Sequence, residues 1–287
     1  MITASSHKTR CWYGSIRKQP LPYELMSGYS KNSTMRKRPR IEPDDLPHND
    51  FILCDAKSPT HHLKRSSSDM TIYYDAQTEW DSLESQVESL FKSKFYDCPF
   101  VPNQLESMIA AIDGHDVFLV LPLGPLRHVC YQLPAVYQAQ KTTVVIVPTL
   151  VFLQDYPLNT EAIFVSDIDK KGYVPLDQLE HRLFHDPPRL LYITHHDFRL
   201  SKQLMYDLYR RNRLARFVIE EAHCISPWWT TDDFSLHYSR LAQSLRETYV
   251  SLPITALTAI PNTRIQHDIL TRLGMHDCRI FKKSILL

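Results

Sequence analysis

From Phe100 onward, short apolar runs alternate with stretches of helical periodicity, and this alternation restricts the possible folds more than any other feature. The apolar runs are 117–121, 143–147, 163–165, 190–193, 216–219 and 254–257. Between and around them, 103–112, 129–138, 176–184, 202–211, 234–249 and 263–273 carry apolar residues at helical spacing. Strands that are apolar throughout and joined by helices predict an α/β fold, a parallel sheet covered by helices on both faces. Ligands in such sheets sit beyond the carboxyl ends of the strands. Attention therefore falls on the loop 123–128, the turn after Ile219 and the turn after Leu257.

The first of these loops has the layout of a phosphate-binding loop: an apolar strand, a short loop with one Gly and one cation, then a helix. Its chemistry departs from that layout. Gly124 is followed by Pro125, which has no N–H to donate, and by Leu126, which brings a Cβ where close approach favours Gly. The cation is Arg127, a planar fork rather than the point charge of Lys. His128 stands where a Ser or Thr hydroxyl would hold magnesium.

The second turn follows Phe217-Val-Ile-Glu-Glu-Ala-His-Cys224, a buried-strand pattern that ends in two acids. In a nucleoside-triphosphatase the first acid, here Glu220, holds magnesium and the second, Glu221, polarises the attacking water. Two acids opening a helical turn, favourable against its dipole, are the structural alternative.

These residues carry a resemblance to the RecQ family of DNA helicases, the Bloom-syndrome helicase type in particular. Cys130-Tyr-Gln-Leu-Pro-Ala135, Pro102-Asn-Gln-Leu-Glu106, Leu214-Ala-Arg-Phe-Val-Ile219, Ala222-His-Cys224 and Ala256-Leu-Thr-Ala259 stand as in that family, in its order. The resemblance spans residues 85–287 and implies the first RecA-like motor domain, a P-loop nucleoside-triphosphatase fold. It implies ATP and Mg2+ as cofactors, single-stranded or partly duplex DNA as partner, and no zinc.

Roles then follow residue by residue from the resemblance. Phe100 and Gln104 match the adenine motif, although the family's Arg beside that Phe is Val101 here. Gly124, Arg127 and His128 match the phosphate loop, and Glu220 with His128 would form an altered magnesium site, Glu220 replacing an Asp. Glu221 is the retained water-activating acid. His223 and Thr258 match the pair that couples the ATP site to DNA. Thr194 matches a DNA-backbone contact. Trp228, Asp233, Phe234 and Tyr238 match an aromatic-rich loop that senses single-stranded DNA, and Trp229 adds a second indole beside the first. An indole that stacks on a base contributes roughly 1–3 kcal/mol; packing of one or both into the core is the alternative. The pairs His195-His196 and His61-His62 read as exposed loop histidines rather than metal ligands.

Residues 1–79 are rich in Ser, Pro, Lys and Arg without periodicity, which predicts a disordered tail before a globular region at 80–287. Arg36-Lys-Arg-Pro-Arg40 reads as a nuclear-import or nucleic-acid patch, or as a solvated charge run. Lys64-Arg-Ser-Ser-Ser-Asp69 reads as a phosphorylation string, and Asp81 with Glu84 as the cap of a lead-in helix. The net charge of +1 makes no global case for nucleic acid, so a local patch must carry any such contact. Six scattered cysteines suit a reducing compartment and offer no zinc module. The apolar runs are too short for a membrane span. The expected location is the nucleus.

The sequence ends soon after Ala256-Leu-Thr-Ala259, so the second motor domain of the family is expected to be missing, unless a protein partner supplies it. An arginine finger from such a domain is worth 10³–10⁵ in rate in related phosphoryl-transfer enzymes. Three readings follow: an ATP-dependent 3′-to-5′ DNA helicase of RecQ type, a catalytically inert RecQ-like module that binds DNA or a protein, and a truncated gene product.

Overall fold

The structure is a computed structural model, and it describes residues 69–95, 99–122, 125–148, 162–165, 173–229 and 233–282. The basic cluster at 36–40, the Ser string, His61-His62 and Gly124 lie outside the described residues.

Among the described residues, eight strands form one parallel sheet in the order β4-β3-β5-β2-β6-β7-β1-β8. They are β1 (Val117–Val120), β2 (Thr142–Val147), β3 (Ala162–Val165), β4 (Tyr173–Val174), β5 (Leu190–Thr194), β6 (Leu214–Ile219), β7 (Ile254–Thr258) and β8 (Arg279–Lys282). Every residue of β1, β2, β6 and β7 is buried, because helices cover both faces. Successive side chains of a strand point to opposite faces. Phe118, Val120, Val144, Ile146, Phe217 and Ile219 accordingly enter one core, and Val117, Leu119, Val145, Val147 and Val218 the other.

The helices are α1 (Asp69–Lys94), α2 (Gln104–Ile112), α3 (Pro125–Tyr137), α4 (Leu179–His185), α5 (His195–Leu200), α6 (Lys202–Arg210), α7 (Asp233–Thr248) and α8 (Thr263–Arg272). Helices α4 to α8 line the first core, whereas α2 and α3 line the second. Val87 and Phe91 of α1 dock on Met108 and Ile109 of α2 and on Val129 and Leu133 of α3.

Four expectations need correction. Helix α1 opens at Asp69, so Asp81 lies inside it and is not its cap. Helix α3 begins at Pro125, earlier than periodicity suggested, because proline suits a first helical position whose N–H has no intrahelical acceptor. The His195-His196 pair opens α5 instead of sitting in an exposed loop. His195 is half-buried, edge-on to Tyr238 with ring centres 5.9 Å apart, and burial lowers its pKa. Strands β4 and β8 were not anticipated; the first has two residues and the second is a partly exposed edge.

A buried cation fastens the middle of the sheet. Arg216 on β6, fully buried, donates to Thr255 Oγ1 on β7 at 2.5 Å and to the carbonyl of Ala111 at the end of α2. Burial pushes its pKa down to about 10, against the pull of Asp116. Among the described residues, no helix is long and apolar enough to cross a membrane.

Candidate active site at the carboxyl ends of β6 and β7

Strands β2, β6, β7 and β1 lie side by side, so the segments leaving β1, β6 and β7 converge at one rim. Beyond Ile219 the chain turns sharply. Glu221 takes a left-handed backbone (φ 48°, ψ 49°), uncommon for a residue with a Cβ, and the chain enters the 3₁₀ turn Ala222–Ile225. The Tyr238 hydroxyl secures this turn by sharing its one proton between the carbonyls of Glu220 at 2.9 Å and Ile146 at 3.1 Å.

The turn points two carboxylates at the first turn of α3. Arg127 Nη2 lies 2.5 Å from Glu220 Oε2 and also bonds Glu221 Oε1. On the other side, His128 Nε2 lies 3.4 Å from Glu220 Oε1. A cation near a helix N-terminus opposes the helix dipole, so this Arg depends on the two acids. Arg127, Glu220 and Glu221 are all buried. The Nε and Nη1 atoms of Arg127 are buried without hydrogen-bond partners among the described residues.

Electrostatics separates the two acids. Burial favours the neutral form of Glu220, but Arg127, His128 and a hydrogen bond from Tyr131 outweigh it and hold the carboxyl below its ordinary range. For Glu221, burial wins over the pull of Arg127, and its pKa is raised. Burial lowers the pKa of Arg127, yet the two carboxylates more than reverse that. Glu220 and Arg127 therefore form the firmly charged pair, with Glu221 the proton-accepting neighbour.

From Glu221 a second row runs toward the surface. His223 Nδ1 lies 3.4 Å from Glu221 Oε2 and 3.2 Å from Thr258 Oγ1, at the end of β7. Burial, and then the Arg127 charge, push the His223 pKa down to about 3, so its ring is neutral at physiological pH. Trp229 packs edge-on against His223 with centres 4.6 Å apart. Next to it Trp228 is 51% exposed, and the Arg264 guanidinium carbon lies 3.3 Å from its ring centre. The two indoles therefore divide the alternatives: Trp229 joins the core and Trp228 faces solvent.

Arg127, His128, Glu220, Glu221, His223, Thr258 and Trp229 thus form one connected cluster, with Trp228 at its outer edge. Other expected residues stand apart or are already engaged. Phe100 packs on Phe91 with centres 4.3 Å apart, and the buried Gln104 accepts the Val101 N–H through Oε1 at 3.1 Å. Thr194 caps α5, accepting from Asp197 N–H and donating to Asp197 Oδ2 at 2.7 Å. Tyr238 is 1% exposed and holds the Glu220 turn, which corrects its expected place at a nucleic-acid surface. Asp233 and Phe234 open α7, and their side chains lie outside the described set.

Magnesium does not fit this donor set as it stands. The ion takes oxygen ligands in near-octahedral array at about 2.1 Å, and a guanidinium nitrogen already bridges the two carboxylates. Among the described residues, no group of three His, Cys, Asp or Glu side chains is arranged to hold a metal.

Sequence reasoning missed Tyr131 and Arg264. Tyr131 stands four residues after Arg127 on α3, on the same helical face, and that spacing was a usable signal. Arg264 opens the helix after β7, and only the fold brings it to Trp228.

No family model matches the chain. Among curated proteins it is 33% identical over 210 residues to the ATP-dependent DNA helicase hus2/rqh1 of Schizosaccharomyces pombe, covering 69% of this chain and 16% of that protein. It is 36% identical over 219 residues to the RecQ-like DNA helicase BLM of Xenopus laevis, covering 69% of this chain and 15% of that one. The chain thus spans about one-sixth of the length of these relatives. Among solved structures, the DUF1998 helicase MrfA bound to DNA superposes on 69% of this chain and 29% of its own, with a TM-score of 0.52 at 13% identity, a likeness of fold. With the RecA-like sheet, the motifs at its carboxyl rim and these relatives in agreement, the chain belongs to the RecQ family of DNA helicases.

Proposed function

We propose that this chain is a RecQ-like module that binds single-stranded or partly duplex DNA in the nucleus and does not turn over ATP. The observation that carries the reading is the Arg127 guanidinium bonded to both Glu220 and Glu221. A hydrolytic site needs one acid free to organise the metal and the other free to polarise water. Here both acids are engaged by a side chain fixed on α3. ATP and Mg2+ remain the cofactors of the family, and Arg127 Nε and Nη1 are buried without hydrogen-bond partners among the described residues.

The DNA part of the reading is supported by Trp228, an exposed indole with a cation over it at the strand-end rim. Stacking on aromatic faces tolerates any base and gives sequence-independent binding. The relatives are named as DNA helicases, and a module that holds DNA without advancing would compete with such a motor. A protein partner that supplies a second motor domain belongs to the alternative reading, an ATP-dependent 3′-to-5′ helicase. The specific support for that reading is the retained contact of His223 with Glu221 and Thr258.

Two measurements on the full chain separate these readings. Binding of a single-stranded oligonucleotide is followed across salt concentrations, and phosphate release is followed with Mg-ATP and DNA. Affinity that falls as salt rises, with no phosphate release, is the expected result. DNA-stimulated release would establish the motor reading instead, and an absence of DNA binding in folded protein would end the DNA reading.

A further inference from the structure

The side chain that silences the carboxylate pair also answers the question of what neutralises it. We infer that Arg127 takes the place of a divalent cation at Glu220 and Glu221, so that the folded chain carries its own fixed counter-ion there and takes up no metal. The inference builds on the reading of this site as hydrolytically silent and adds what fills the metal position.

Geometry carries the argument. One atom, Arg127 Nη2, contacts an oxygen of each carboxylate, so a single fixed positive charge serves the acid that would hold the metal and its neighbour together. The side chains of Arg127, Glu220 and Glu221 are 3%, 4% and 11% exposed, so water offers little screening. Two buried carboxylates side by side need a cation. A cation attached to α3 serves this need without an encounter step and leaves only by unfolding or by rotation of a buried side chain.

The surroundings favour a guanidinium over a metal as well. His128 Nε2 lies 3.4 Å from Glu220 Oε1, and Tyr131 helps to hold the Glu220 carboxyl below its ordinary range. Glu220 Oε1 has no hydrogen-bond partner among the described residues, so the obstacle to a hydrated ion is the Arg127 charge itself. The remaining Arg127 nitrogens are donors, able to face an anion and unable to ligate a metal. A second cation would also meet like-charge repulsion from Arg127 at close range.

The test uses the full 287-residue chain with Mn2+ as the probe. Uptake is read by electron paramagnetic resonance as the difference between each chain and its Glu220→Gln counterpart, alongside Tm in EDTA and in Mn2+. The wild-type chain is expected to show no such difference and the same Tm in both buffers. Arg127→Met keeps the stem and removes the charge; it is expected to gain Mn2+ uptake and a Tm higher in Mn2+ than in EDTA. If this variant is unfolded in EDTA, Mn2+ is expected to restore its folded circular dichroism, since ligand binding is then folding free energy. Glu220-dependent uptake by the wild-type chain would overturn the inference. So would a folded Arg127→Met chain that ignores Mn2+, or an unfolded one that Mn2+ does not rescue. None of these readings depends on DNA, so a failure of DNA binding would leave them standing.

Discussion

Arg264 covers the indole of Trp228, with its guanidinium carbon 3.3 Å from the ring centre, although the two residues belong to different strand-end segments. Such a pair contributes about 0.5–1 kcal/mol at an exposed site. It also fixes the ring with half its surface still open to solvent. Trp228→Ala is expected to weaken binding of a single-stranded oligonucleotide by about 1–3 kcal/mol. Arg264→Ala is expected to weaken it too and to reduce the salt slope by about 0.7, one neutralised phosphate of a single strand. Fluorescence anisotropy at several salt concentrations reads both effects. Unchanged affinity in Trp228→Ala would remove the indole from the interface.

Glu220 and Glu221 are neighbours in sequence, but their substitution has different consequences. The folded pKa of Glu220 lies below its unfolded value, so its charged form stabilises the fold above the unfolded pKa, and that stability is lost as pH falls through the folded one. Glu221 has a raised folded pKa, so its ionisation costs stability as pH rises through and above the unfolded value. At pH 7.5, Glu220→Gln is expected to cost on the order of 3–5 kcal/mol, as when one partner of a buried pair is removed. Glu221→Gln removes a carboxylate whose charge burial already disfavours, and is expected to cost less. Urea unfolding of the two variants gives the comparison, and equal losses would contradict it.

His223 supplies an acid sensitivity. Its pKa falls from 6.5 to about 3 on folding, so between those values the unfolded chain binds the extra proton. Stability therefore declines as pH drops from 6.5 toward 3, with a slope of up to about 1.4 kcal/mol per unit from this group. His223→Phe is expected to flatten that part of the curve. Thermal unfolding from pH 7 down to pH 4 measures it, and an unaltered slope would reject the assignment to His223.

Restoring two loop residues is not expected to restore an engine. Arg127→Lys with His128→Ser supplies an ammonium and a hydroxyl but leaves α3 starting at Pro125 and leaves Glu220 in place. DNA-stimulated phosphate release is expected to stay at background in the double variant. Clear turnover would show that side-chain identity, rather than loop backbone, had silenced the site.

Arg216 gives a test confined to the core. Arg216→Ala leaves Thr255 and the Ala111 carbonyl without their donor and opens a cavity, with an expected cost of about 2–5 kcal/mol. Arg216→Met fills the volume and removes a buried charge, so its cost is expected to be smaller. The shift in urea midpoint orders the two, and the reverse order would contradict this account.

Much of this protein was legible in its sequence. Apolar runs buried on both faces admit few arrangements, so the strands at 117–121, 143–147, 190–193, 216–219 and 254–257 were found to within a few residues. The strand-and-loop pattern singled out Arg127, Glu220 and Glu221, the family resemblance added His223 and Thr258, and the parallel sheet brings these five residues to one rim. Contacts between side chains distant along the chain were beyond its reach. Whether Arg127 would face an incoming phosphate or the acids, which indole would be buried, and that Tyr238 would lie under the Glu220 turn all depend on packing between elements. Local periodicity reports which face of an element is apolar, and so it determined the fold. Only the tertiary structure decided the charge pairing, because a buried cation is stabilised by whichever carboxylates the fold brings within reach.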